Sequence, residues 1–362
     1  MQALNHQGDA MYIFTNRVLA DKADEEAFGR AYWPDSSQLG VALVKRGAGE
    51  TWNVSGLDRD VSNQDLRDRL VPLFEGKKPV LVYLHGNNNT PASCIERCQK
   101  LEDLYSVEVV GFSWPSEGYL PDGESLSGFP EKSNGKEDDL KKVTKSSAGS
   151  PGIKGKVERY KRASINAKES VESLSRFLGM VGSARLFANQ QPFSIAAHSL
   201  GAQFLQYALV VPGCTEAIGT SYNITFLAPC VRASGHRDWL ATLHPKNQVF
   251  ITYNKGDSVL ASARFADGDS VMSIKLGGDL IADRLVSSSV RYIEFTDAGV
   301  NFGGHGYFIK RVSDKAKVLF TRIFSSEPDL REGESTRKIY VDCDEDMQTC
   351  SLGSSSNTEA RN

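Results

Sequence analysis

The richest chemical spacing in this chain lies in FSIAAHSLGAQFLQYAL, positions 193–209. An apolar run suited to a buried strand passes through Ala197-His198-Ser199-Leu200-Gly201 into a helical pattern. A sharp strand-to-helix turn exposes its serine at the strand end, and the residues two before and two after must be small. Ala197 and Gly201 meet that condition. Such a turn makes Ser199 a candidate nucleophile. It also aims the Leu200 N–H, at a helix N-terminus, toward an oxyanion developing on an attacked carbonyl. The plainer alternative is a helix cap, since serine is an ordinary capping residue. Capping alone, however, does not require small neighbours on both sides.

A second segment, LVYLHGNNNTP at 81–91, ends an apolar run in His85-Gly86 and continues into three asparagines and a Thr-Pro helix start. Backbone N–H groups just after such a strand can supply a second oxyanion donor, and Asn87 is the position selected. The alternative is an ordinary Asn-rich turn. His85 reads as a histidine that orients this loop rather than as a base. Further along, QVFITYNKGDSVL places Asp257 just past a strand, and VRYIEFTDAGVNFGGHGYF places His305 in a glycine-rich loop. In that arrangement His305 takes the Ser199 proton and returns it to the leaving group, while Asp257 holds the imidazole tautomer. Asp267, Asp269 and Asp297 compete for the acid role, and Asp297 directly follows the last strand. His6, His236 and His244 are poorer bases by position, and His198 is expected to point away from Ser199.

Elements that position these residues are legible as alternating patterns. Candidate strands are 11–16, 39–45, 79–85, 107–114, 193–197, 222–228, 248–254 and 290–296. PVLVYLH, VEVVGFSW, FSIAA and NITFLA are near-continuous apolar runs, which suits strands covered on both faces. Helical patterns intervene. Ser62 and Asp65 form a capping-box start for 62–74. Pro91 after Thr90 opens a helix through Leu104. Ala167, Val171, Leu174 and Leu178 make one apolar stripe on a helix at 166–178. The fold class expected is α/β, a mostly parallel central sheet flanked by helices.

Composition limits the rest. Of 362 residues, 40% are hydrophobic and 24% charged, enough apolar content for a large core. A net charge of −3 gives no footprint for nucleic acid or an anionic membrane surface. No apolar run reaches the ~20 residues of a spanning helix, and the N-terminus lacks the pattern of a secretory signal. A cytoplasmic location is the default, with signal-less secretion the alternative. The six cysteines are expected as free thiols rather than disulfides, Cys343 and Cys350 being the pair that lie together in the tail. Cys94 and Cys98, one helical turn apart, read as small buried hydrophobes. No metal-site spacing and no phosphate-binding glycine loop is present, so neither a metal nor a nucleotide cofactor is expected.

Two stretches break the pattern. Residues 116–157 read as a surface insertion, either a spacer or a lid in which Leu126, Phe129, Leu140 and Ile153 cover a pocket. Residues 331–362 read as a polar, largely disordered tail. The division expected is a single domain over 1–330 carrying that insertion, followed by the tail.

Taken together, YIFTNR, VLVYLHGNNNTP, VVGFSWPSEG, AHSLGA, NITFLAP, ITYNKGDSVLASAR and GGHGYF resemble the α/β-hydrolase superfamily. More narrowly they resemble a bacterial α/β-hydrolase family known as a domain of unknown function. The resemblance spans about 11–320. It implies Ser199, Asp257 and His305 as a catalytic triad with Asn87 and Leu200 as oxyanion donors. This sequence departs from it in the 116–157 insertion and in Cys230 after LAP, where an aspartate is more usual. The activity expected is hydrolysis of a carboxylester or lipid ester through an acyl-enzyme; acyl transfer or amide cleavage uses the same residues. Other readings are a secreted lipase-type effector and a binding module with a vestigial triad. No protein partner is legible.

Overall fold

The computed structural model describes residues 10–47, 51–126, 151–188, 191–268, 270–280, 283–298, 304–327, 340, 342–344 and 348–353. The chain opens with β1 (Ala10–Thr15), a small hairpin of β2 (Arg17–Leu19) and β3 (Phe28–Tyr32), then β4 (Gly40–Arg46) and β5 (Trp52–Asp58). Alternation follows through α1 (Asn63–Glu75), β6 (Val80–Leu84), α2 (Pro91–Tyr105) and β7 (Glu108–Ser113). Next come consecutive helices α3 (Pro151–Glu169) and α4 (Val171–Phe187), then β8 (Phe193–His198), α5 (Leu200–Ala208), α6 (Cys214–Gly219), β9 (Asn223–Leu227) and α7 (His236–Leu240). The last part holds β10 (Gln248–Tyr253), α8 (Ser258–Ala266), β11 (Val290–Glu294), α9 (Asp314–Phe324), β12 (Asp342–Cys343) and β13 (Thr349–Ser351).

One 11-stranded sheet has the order β12-β13-β11-β10-β9-β8-β6-β7-β1-β4-β5. From β13 across to β1 every neighbouring pair is parallel, while β12, β4 and β5 pair antiparallel at the two edges. The fold is α/β, as the alternation predicts. From β6 the chain moves to β7 on one side, then returns to β8 on the other and continues outward to β11. Strand order therefore reverses between β6 and β8. In open α/β sheets ligands bind at such a reversal, beyond the carboxyl ends of the strands.

The sheet is buried on both faces, which explains the continuous apolar runs. Adjacent strand residues point to opposite faces. In β7, a Cβ at Gly111 would meet Cys98 Sγ of α2 at 2.7 Å, whereas Phe112 packs on Phe177 of α4 and Phe204 of α5. Tyr105 of α2 packs edge-on against Phe320 and Phe324 of α9. The helix starts follow their sequence signals. Ser62 Oγ accepts the Asp65 N–H at 3.1 Å and Thr90 Oγ1 accepts the Ser93 N–H at 3.2 Å, with Pro91 as the first residue of α2.

Several readings are corrected. The helix read over 166–178 is two helices broken at Ser170, whose Oγ accepts from Asn16 Nδ2 at 2.7 Å. The apolar stripe misses the break because Ala167, Leu174 and Leu178 stay buried across it. The ends of the 116–157 insertion are integral parts of the domain: Ser116, Glu117 and Tyr119 are buried, and α3 is already formed from Pro151. Residues 127–150, with Phe129 and Leu140, lie outside the described residues. The tail is not without structure. Thr349–Ser351 extends the sheet beside β11, and Cys350 and Leu352 are buried. Cys343 and Cys350 form a disulfide across β12 and β13, against the free-thiol expectation, while Cys94, Cys98, Cys214 and Cys230 are free and buried. Polar strands of two and three residues carry no hydrophobic period, so pairing with β11 and the bridge organise this segment. Among the described residues no helix is long and apolar enough to cross a membrane.

Candidate active site

Ser199 stands between β8 and α5 with φ 54° and ψ −119°, a conformation that costs a non-glycine residue of order 1–3 kcal/mol. Its surroundings over-determine it. The Ser199 N–H donates to Leu227 O at 2.9 Å, and its carbonyl accepts from Cys230 N at 2.9 Å and Ala202 N at 3.1 Å. Two more residues with positive φ, Asn88 (54°) and Ala228 (44°), lie just beyond β6 and β9. Strained backbone thus gathers at the carboxyl edge of the sheet.

The small-residue condition has a visible cause. A Cβ at Gly201 would lie 2.5 Å from Leu84 O and 2.6 Å from His85 O. The start of α5 presses against the end of β6, which brings Leu200 close to the loop that holds Asn87. Gly201→Ala must push these backbones apart. Overpacking of this kind costs about 1–3 kcal/mol, so a lowered urea midpoint is expected; an unchanged midpoint would contradict the close approach.

The Asn87 loop is braced from several sides. Asn88 N donates to Ser116 O at 2.9 Å, and Asn89 N donates to Ser116 Oγ at 2.9 Å. Asn89 Nδ2 donates to Gly86 O and to Asn87 O at 3.1 and 2.9 Å. These bonds occupy the neighbours of the Asn87 N–H, which itself donates to no acceptor among the described residues. Leu200 is the first residue of α5, where an N–H has no intrahelical acceptor. His85 is fully buried. Its Nε2 accepts from Trp114 N at 3.1 Å, its carbonyl accepts from Trp114 Nε1 at 2.9 Å, and its ring stacks on the indole at 5.5 Å. It holds the ends of β6 and β7 together, a contact to Trp114 that goes beyond the loop-orienting role read from sequence.

Behind Ser116 lies a buried ion pair the sequence did not single out. Arg17 and Glu117 form a salt bridge with side chains 0% and 3% exposed, and Arg17 also donates to Trp114 O at 2.8 Å and Gly29 O at 3.2 Å. Removing one partner of a buried pair strands the other charge and costs about 3–5 kcal/mol. Glu117→Ala is therefore expected to lose that much stability in chemical denaturation. A loss below ~1 kcal/mol, the scale of an exposed ion pair, would contradict this.

Asp257 and His305 meet in the structure. His305 Nδ1 lies 2.6 Å from Asp257 Oδ2, and both residues are almost fully buried. The carboxylate divides its two oxygens. Oδ1 caps α8, accepting from Val259 N at 2.9 Å and Leu260 N at 3.0 Å, and Oδ2 faces the imidazole. The competing acids are elsewhere engaged or placed: Asp267 pairs with Lys275 at 2.5 Å, Asp297 is exposed, and Asp269 lies outside the described residues. Among the other histidines, His236 bonds Ala233 O and the Tyr292 hydroxyl, and His244 is exposed. His198 sits directly before Ser199, and its ring lies 4.7 Å from that of His305. The strand end that carries Ser199 and the loop that carries His305 are thus in contact through it.

Burial pushes the Cys230 thiol above its usual range, so this neighbour of the Ser199 carbonyl is held neutral. Among the described residues no group of three or more His, Cys, Asp or Glu is placed to hold a metal ion. An open cleft of about 480 Å³ runs along α5, lined by Gln203, Arg232, Trp239 and Asp267 among others; Ser199 is not in its lining. The arrangement at the sheet edge offers a hydroxyl on a strained turn, an imidazole held by a carboxylate, and two N–H groups beside the turn. Compared with family models, with curated proteins and with solved structures, the chain gives no match.

Proposed function

We propose that this chain is a serine hydrolase of the α/β-hydrolase type that cleaves a carboxylester or lipid ester. The observation that carries the reading is the 2.6 Å bond between His305 and Asp257 beside a serine held at φ 54°. The turn strains the backbone, a cost met where chemistry needs it, and the bond fixes the orientation of a buried imidazole at the same sheet edge.

Ser199 Oγ attacks the ester carbonyl while His305 Nε2 takes its proton. Charge on the carbonyl oxygen is met by the N–H groups of Asn87 and Leu200. Asp257 keeps the Nδ1–H tautomer and stabilises the imidazolium without itself becoming protonated. Collapse of the tetrahedral intermediate expels the alcohol with the proton from His305. Water, deprotonated by His305, then adds to the acyl carbonyl. As the bond to Ser199 Oγ breaks, the proton passes from His305 to that oxygen, freeing the acid and restoring the serine. A panel of chromogenic esters of increasing chain length, run on the wild type and on Ser199→Ala, tests the reading and ranks acyl chains. Turnover that survives in the Ala variant, or none in the wild type, counts against it.

A further inference from the structure

An imidazole that shuttles a proton must be fixed in orientation and in place, since misplacement by 1 Å can cost about 100-fold in rate. Asp257 orients the His305 ring through Nδ1. The loop itself is built from glycine on either side, Gly304 and Gly306, and has little stiffness of its own. Yet both peptide groups that flank the His305 Cα are held by side chains from strand ends. Asn254, the residue after β10, donates from Nδ2 to Gly304 O at 3.0 Å while its Oδ1 accepts from Gly256 N at 2.9 Å. One amide thus joins the His305 loop to the turn that carries Asp257. His198, the last residue of β8, approaches from the other side, its Nε2 lying 3.2 Å from His305 O. A carbonyl only accepts, so this nitrogen carries the proton. Both side chains are buried, Asn254 at 2% and His198 at 0% exposure.

We propose that Asn254 and His198 are positioning residues that clamp the peptide groups on either side of His305 and so set its imidazole between Ser199 and Asp257. The inference rests on the serine-hydrolase reading above. Asn254 links base to acid, and His198 links base to nucleophile, so each ties two of the three loops together. His198 ends β8 and Asn254 follows β10, both parallel strands of the sheet interior. Further along the same loop Tyr307 adds an anchor: its hydroxyl bonds Thr252 Oγ1 at 2.6 Å and accepts from Ala228 N at 3.1 Å.

The test separates a clamp from a merely structural amide. Asn254→Asp keeps an oxygen for the Gly256 N–H but loses the donor to Gly304 O. Asn254→Asp and Asn254→Ala are expected to lower kcat by about 10- to 100-fold with KM within about twofold of wild type, since misplaced groups act on the chemical step. The Asp variant buries a carboxylate against the Gly304 carbonyl and is expected to melt below wild type. The constants kcat and KM are therefore compared at a temperature where circular dichroism shows each variant folded, and the two His198 variants carry the test if neither Asn254 variant folds. His198→Gln, which keeps an N–H donor, should retain more kcat than His198→Phe. Wild-type kcat in Asn254→Asp, or equal kcat in the two His198 variants, overturns the clamp. A folded wild type that neither turns over esters nor reacts with a fluorophosphonate overturns the hydrolase reading instead.

Discussion

Ser199→Ala is expected to lose ester turnover by about 10⁴-fold or more in kcat while the protein stays folded. Only one oxygen is removed. The turn is held by backbone bonds to Leu227, Cys230 and Ala202, none of which uses the side chain. Stability should not fall, and it can rise, because alanine is under no greater backbone strain and no buried hydroxyl remains. The check is paired: steady-state kinetics on a short soluble ester, and a thermal melt of the same preparation. Near-wild-type turnover in a folded variant would mean that some other group does the chemistry.

Asp257→Asn is expected to be nearly as damaging, about 10⁴-fold in kcat by the behaviour of such acids elsewhere. The structure supplies a specific reason. Oδ1 is committed to the Val259 and Leu260 N–H groups at the start of α8. An asparagine there keeps its carbonyl oxygen on those donors, so its amide nitrogen replaces Oδ2 opposite His305. A donor then faces Nδ1, which can bond only as an acceptor. The imidazole proton moves to Nε2, the nitrogen required to accept from Ser199. The cap persists, so the melting temperature should hardly change while kcat collapses. Asp297→Asn, at an exposed position, should leave kcat near wild type. The reverse order of damage would reassign the acid.

Much of this was legible because burial and chain order write themselves into sequence. Strands β6, β7, β8 and β9 are covered on both faces, so VLVYL, EVVGFS, FSIAAH and NITFL are near-continuous apolar runs with few polar residues. Ala197 and Gly201 flank Ser199 because a side chain at 201 would collide with the end of β6. Asp257 is legible as a carboxylate just past a strand end, and His305 as a histidine in a glycine-rich loop. Illegible parts depend on partners distant in sequence. Ser170 breaks a helix through contact with Asn16, and Arg17 finds Glu117. His198 was expected only to point away from Ser199; its bond to the His305 carbonyl emerges when β8 and the last loop are packed. β12 and β13 are two or three residues long and polar, too short for any period to register.

The most direct measurement is to react the folded protein with a fluorophosphonate and map the adduct by peptide mass spectrometry. Phosphonylation requires a serine activated by a base, and ordinary surface hydroxyls do not react. The account predicts a single adduct on the peptide that contains Ser199, absent in Ser199→Ala and formed far more slowly in Asp257→Asn. A folded wild type that takes up no label, or that carries it on another residue, would contradict it.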